Sequence, residues 1–193
     1  VYCKYLILLL FIPLFVAAGC GGGQPKPKNP TTVTSPAASP AEIKWTYQIN
    51  AISFKVAADK QLNEYNGSPH ALLLCVYQLS DKNKFIEMAG TSTGLTTLYD
   101  CKSFDKTVTH VERSFMQPDQ NATLSFDRAE GTKFVGVAAG YYDLQGGGAT
   151  RTWQIPMDTT DTGMLWWSDT TYAPAKLDAM LILGPHEIQK VGE

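Results

Sequence analysis

Past residue 42 the apolar side chains recur at every second position, and this period confines the chain to a β-architecture. Ala122, Leu124 and Phe126 alternate with Asn121, Thr123 and Ser125, while Leu177, Ala179, Leu181 and Leu183 line one side of another segment. A helix would scatter such positions around its circumference; a pleated strand gathers them onto one buried face. Residues 133–142, KFVGVAAGYY, are apolar on both faces and predict a central strand whose small residues admit a close neighbour. Near the start of this region Trp45, Tyr47, Ile49 and Ala51 hold one face, then Ile52, Phe54 and Val56 hold the other. That switch calls for a bulge or bend, as where one strand serves two sheets. The expected strands are 43–57, 70–79, 108–116, 121–127, 132–143, 150–156 and 177–190. Helical signal is confined to 81–101. There Ser80 or Asp81 can cap a turn carrying Phe85, Met88 and Ala89, Gly90 stops it, and Leu95, Leu98 and Tyr99 recur at helical spacing. The fold class predicted is mainly β, a two-sheet β-sandwich with a short helical insertion.

The composition says where that fold begins. No Asp or Glu precedes Glu42, and five of the eleven prolines fall between Cys20 and Ala41. Lys4 precedes an apolar run from Tyr5 to Ala18, broken only by Pro13. As a helix this run rises about 21 Å, short of the roughly 30 Å hydrocarbon core, so it reads as an export signal. It ends in Ala17-Ala18-Gly19-Cys20, which resembles the lipobox of bacterial lipoproteins. The resemblance implies cleavage before Cys20 and acylation of its sulfur, and Gly21 in place of Asp implies the outer membrane. Residues 21–41 form a Gly/Pro/Ser/Thr tract with too little apolar surface to offset its ordering entropy. In an extended conformation it reaches on the order of 60 Å. The expected organisation is a signal over 1–19, a lipidated tether over 20–41 and a sandwich domain over 42–193. The chain carries a net charge of −2, which argues against a nucleic-acid partner held by bulk charge.

With Cys3 lost in the signal and Cys20 acylated, Cys75 and Cys101 remain, and an oxidising compartment lets them pair; two buried free thiols are the alternative. His70, His110 and His186 are scattered, without Cys, Asp or Glu at metal-ligand spacing. His110 and Glu112 share a strand face as an exposed pair. Gly146-Gly147-Gly148 joins two strands and reads as a flexible hairpin loop instead of a phosphate cradle. No catalytic residue, metal site or cofactor is expected. Two segments point to binding. The stretch Asp59 to Gly67 exceeds what a hairpin requires, sets Leu62 and Tyr65 among polar groups, and ends in an Asn66-Gly67 turn. The stretch 157–175 reads as a loop containing Trp166 and Trp167, which cannot both face one core when extended. One of them is then an exposed anchor, or the loop is a lid over the sandwich end. A carbohydrate- or small-ligand-binding envelope lipoprotein that uses these tryptophans is the competing functional class.

Val76-Tyr77-Gln78-Leu79 followed by Asp81 and Phe85, Val135-Gly136-Val137-Ala138-Ala139 with Tyr141 and Asp143, and Arg151-Thr152-Trp153 together resemble the TssJ family. Members of this family are outer-membrane lipoproteins of type VI secretion systems. Trp45 and Pro69 also fit. Cys75 stands where a basic residue is frequent, and Tyr142 replaces the usual Arg. The resemblance implies a transthyretin-like sandwich with added helices, held to the periplasmic leaflet of the outer membrane by acyl chains. It implies binding to the periplasmic C-terminal part of the inner-membrane protein TssM, with the loop between the first two strands contributing. By position that loop supplies Lys60, Gln61, Leu62, Asn63, Glu64, Tyr65 and Asn66, with Leu62 and Tyr65 as the inferred anchors.

Overall fold

A computed structural model describes residues 36–142, 146–164 and 166–189. Residues 1–19, read as an export signal, Cys20, read as the lipidation site, and residues 21–35 of the tract read as tether lie outside the described residues.

Two four-stranded sheets pack face to face. The first holds β1 (Gln48–Ala58), β4 (Asn121–Arg128), β9 (Leu177–Leu183) and β10 (Ile188–Gln189) in the order β10-β9-β1-β4, with β1 and β9 parallel. The second holds β2 (Leu72–Leu79), β3 (Val108–Met116), β5 (Phe134–Ala139) and β6 (Thr150–Gln154) in the antiparallel order β3-β2-β5-β6. Phe54 of β1 meets Trp153 of β6 edge to face at 4.9 Å, joining the two sheets through the core. Two helices, α1 (Asn83–Ala89) and α2 (Ser92–Tyr99), form a third layer against the second sheet. They explain why β2 and β5 are apolar on both faces. Phe85 of α1 lies on Gly136, where a Cβ would come within 2.8 Å of its ring. The Tyr77 hydroxyl donates to the Leu98 carbonyl at 2.6 Å, and burial pushes that phenol up to about 12. Asp81, just ahead of α1, accepts the Asn83 N–H, and Thr91 caps α2 by accepting the Gly94 N–H. Gly90 ends α1 but keeps a right-handed conformation.

Cys75 of β2 and Cys101, just past α2, form a disulfide with Cα atoms 5.1 Å apart. Closing a loop with that separation of 26 stabilises the fold by about 3.5 kcal/mol in the chain-entropy account. The bridge fixes the helical layer onto the sheet.

The first strand does carry a bulge, at left-handed Asn50 (φ 49°), where the β1–β4 register shifts between Gln48 and Ile52, but Ile49 ahead of it is not on a buried face. The bulge does not let β1 serve two sheets. The strand begins at Gln48, not 43, and Ile49 faces solvent. The expected 132–143 strand is shorter, and 177–190 divides into β9 and β10. Residues 146–149 of the glycine run form a 3-10 turn leading into β6.

The largest difference concerns 157–175, read as a loop. It is a two-stranded hairpin of β7 (Met157–Met164) and β8 (Trp167–Pro174), paired residue for residue from Met157–Pro174 to Met164–Trp167. Its MDTTDTG sequence lacks an alternating apolar face because both faces meet water: residues 157–163, 168 and 169 are exposed. Threonine's β-branched side chain suits an extended strand there without burial.

Candidate functional site

The β1–β2 connection is built from its backbone outward. Asp59 accepts the Gln61 N–H on its carboxylate at 2.7 Å and the Leu62 N–H on its carbonyl at 3.1 Å, turning the chain as β1 ends. Leu62 then drops into the core and is fully buried. Asn63, left-handed at φ 49°, follows it inward. Its amide donates to the Ala71 carbonyl at 3.0 Å, and its carbonyl oxygen accepts the Tyr142 N–H at 2.9 Å. One buried side chain thus ties the connection both to its own far end and to the segment after β5. The Glu64 N–H donates to the Pro185 carbonyl, and the His70 N–H to the Leu62 carbonyl, each at 2.9 Å. Tyr65 and Ser68 exchange N–H and C=O bonds at 2.9 and 3.1 Å around Asn66-Gly67, whose φ values are 52° and 75°. Positive φ at both central residues is the tight hairpin turn that Asn-Gly favours. The Glu64 carboxylate accepts the Gly67 N–H at 2.7 Å and lies 3.4 Å from His186 Nε2.

This framework presents an aromatic face. The Tyr65 ring stacks on Tyr142 with centroids 5.0 Å apart and planes inclined by 27°, and His70 meets the edge of that pair 5.1 Å from Tyr142. Tyr65 and Tyr142 are nevertheless 52% and 57% exposed, so ring surface remains open to a partner. Lys60, Gln61 and Asn66 flank it, exposed and polar.

Two expectations need correction. Leu62 is no anchor, because its side chain is core and could reach a partner only by unpacking the sandwich. Asn63 is likewise buried and serves as an internal strut. The residue that reasoning from sequence missed is Tyr142. It lies far from the loop in the chain, and the pattern of neither segment marks it as a neighbour of Tyr65.

At the other candidate segment, Trp166 lies in the β7–β8 turn and is 89% exposed, as expected of one of the two tryptophans. Trp167 pairs through its backbone with Met164.

Several polar groups elsewhere hold the fold together. His110 and Glu112 form their strand pair at 2.7 Å, both about half exposed. The Tyr47 hydroxyl donates to the Asp127 carboxylate, which also accepts the Asn50 N–H. These two bonds, the phenol first, hold Asp127 below its usual carboxylate range. Buried Gln78 donates to the Asp127 carbonyl and accepts from the Ala129 N–H and the Thr132 hydroxyl. Buried Arg128 directs its N–H groups to the carbonyls of Thr46 and Ala175 and lies over the Trp45 ring. Among the described residues no three His, Cys, Asp or Glu side chains are grouped to hold a metal ion. No helix among them is long and apolar enough to cross a membrane. What the β1–β2 connection presents is a contact face, exposed rings on a fixed frame.

Over residues 50–175 the chain matches the sequence profile of the type VI secretion lipoproteins, a family described by the members VasD, EvfM and TssJ. Among solved structures it resembles Serratia marcescens Lip, a membrane-bound component of the type VI secretion system. That match has 22% identity and a TM-score of 0.55 over 74% of this chain and 97% of that one. It also resembles the lipoprotein TssJ1 from Pseudomonas aeruginosa (16% identity, TM-score 0.54, 77% and 96% covered). A third similar chain belongs to the structure described as the TssM C-terminal domain from EAEC (14% identity, TM-score 0.53, 74% and 98% covered). At these identities the structural likeness establishes the fold. No curated protein sequence matches the chain.

Proposed function

The chain belongs to the type VI secretion lipoprotein family, and we propose that it works there as a moored adaptor. Cys20 carries acyl chains in the periplasmic leaflet of the outer membrane, and the face built on Tyr65 and Tyr142 binds the periplasmic C-terminal part of a TssM-type inner-membrane protein. The observation that carries this reading is the stacked, half-exposed tyrosine pair on a loop fixed at Asn63, Glu64 and His70. Exposed aromatic rings supply large contact area with few torsions to freeze, and they dominate interface energetics. A loop already held in shape loses little further entropy on binding. The tether completes the mechanism. It keeps the domain near the membrane yet lets it search tens of ångströms, so a modest contact is raised by effective concentration. An adaptor of this kind turns nothing over.

The test is a calorimetric titration of the partner's periplasmic domain against wild type and a Tyr65→Ala, Tyr142→Ala double variant. Loss of both rings is expected to weaken binding by about thirtyfold, the equivalent of roughly 2 kcal/mol, with thermal stability retained. An unchanged isotherm excludes this face. Separately, Cys20→Ala is expected to move the chain from the membrane fraction to the soluble fraction, and continued membrane fractionation excludes the anchor.

A further inference from the structure

The β7–β8 hairpin is fixed at one end and open at the other. At its base Pro174 and Ala175 are buried, the Ala175 N–H donates to the Pro156 carbonyl at 2.9 Å, and Arg128 donates to the Ala175 carbonyl at 3.3 Å. At its tip Trp166 is 89% exposed. In sequence the tip reads Gly163-Met164-Leu165-Trp166-Trp167, five residues without a charge, whereas Asp158, Asp161 and Asp169 lie behind it on the strands. An exposed tryptophan at an uncharged tip on a polar stalk suits a surface that takes an indole and tolerates acidic groups only at a distance. Water does not stabilise that arrangement; a bilayer interface does, because the indole buries its ring and keeps its N–H hydrated at headgroup level.

The path of the N-terminal chain says which surface is near. Ala37 pairs with Tyr172 of β8 through two backbone bonds of 2.9 Å. The stretch from Cys20 to Pro36 joins that point to the lipidation site. Fully extended, its roughly seventeen residues span at most about 60 Å. From Tyr172 the strand runs back along β8 to Trp167, a rise of about 17 Å. An anchor at Cys20 and the hairpin tip can therefore rest on the same surface.

We propose that the β7–β8 hairpin is a second membrane contact, in which Trp166 enters the interface of the phospholipid leaflet that holds the acylated N-terminus. The acyl chains supply affinity and the tryptophan supplies orientation: two points of contact limit how the sandwich tilts, and so where the Tyr65–Tyr142 face points. This rests on the reading of Cys20 as the anchor, and the test separates the two.

The mature chain is prepared with Cys20→Ser and an N-terminal hexahistidine tag. It is then bound to mixed phosphatidylethanolamine and phosphatidylcholine vesicles carrying a nickel-chelating lipid and acyl chains brominated near the headgroup. The tag replaces the acyl anchor, so the hairpin is tested whether or not Cys20 is lipidated. Bromine quenching of tryptophan fluorescence is expected to be at least about threefold greater for this chain than for the same chain with Trp166→Ser, as an interfacial indole requires. Equal quenching in the two chains, or none in either, overturns the proposal. If quenching stands while mass spectrometry of the native protein finds no acyl group on Cys20, the anchor reading fails and the hairpin contact survives.

Discussion

The β1–β2 loop and the β7–β8 hairpin both carry exposed aromatic residues, but they are held in opposite ways. The loop is fixed along its length: Leu62 is buried in the core, Asn63 spans two segments, and backbone bonds join Glu64 to Pro185 and His70 to Leu62. The hairpin is fixed at its base and exposed on both faces beyond it. The difference decides what each can recognise. A ring pair with a set spacing suits a partner of defined shape, whereas one tryptophan on a stalk suits a surface with no fixed shape at all.

Removing each support in turn has a graded cost. The largest belongs to Leu62→Ala, expected to cost about 3 kcal/mol and lower Tm by roughly 10 °C, because it empties a core position beneath the loop. A calorimetric scan checks it, and an unchanged Tm would mean the loop is seated less firmly than its burial indicates. Next comes Asn63→Ala, which strands the Ala71 carbonyl and the Tyr142 N–H without their partner. Its expected cost is about 2 kcal/mol in denaturant titration, with faster amide exchange at Tyr142. A variant as stable as wild type, with Tyr142 still protected, would show that the tyrosine pair is positioned by something other than this strut. The smallest effect is Trp166→Ser, expected to change stability by less than about 0.5 kcal/mol, as for an exposed side chain away from the core. A larger loss would place the tryptophan in the packing and dissolve the contrast with Leu62.

Much of the fold was legible because burial writes itself into alternation. β3 matches its expected bounds, β4 and β9 show the predicted faces, and the double-sided burial of β5 follows from the helical layer that Phe85 brings onto Gly136. The hairpin was illegible for the same physical reason: strands wet on both faces have no apolar period to detect. The candidate site was half legible. Asn66-Gly67 announced a tight turn and Tyr65 an exposed ring, but Leu62 sits among polar neighbours, and nothing local reveals that its side chain turns inward. Tyr142 is positioned by the Asn63 amide, a tertiary bond with no footprint in the pattern of either segment.

The central claim, that the partner sits on the Tyr65–Tyr142 face, is tested most directly by amide hydrogen exchange of the full chain with and without the partner's periplasmic domain. The account predicts added protection across 60–70 and at Tyr142, with the exchange of 157–163 unchanged. Protection of the hairpin with no change at the loop would contradict it.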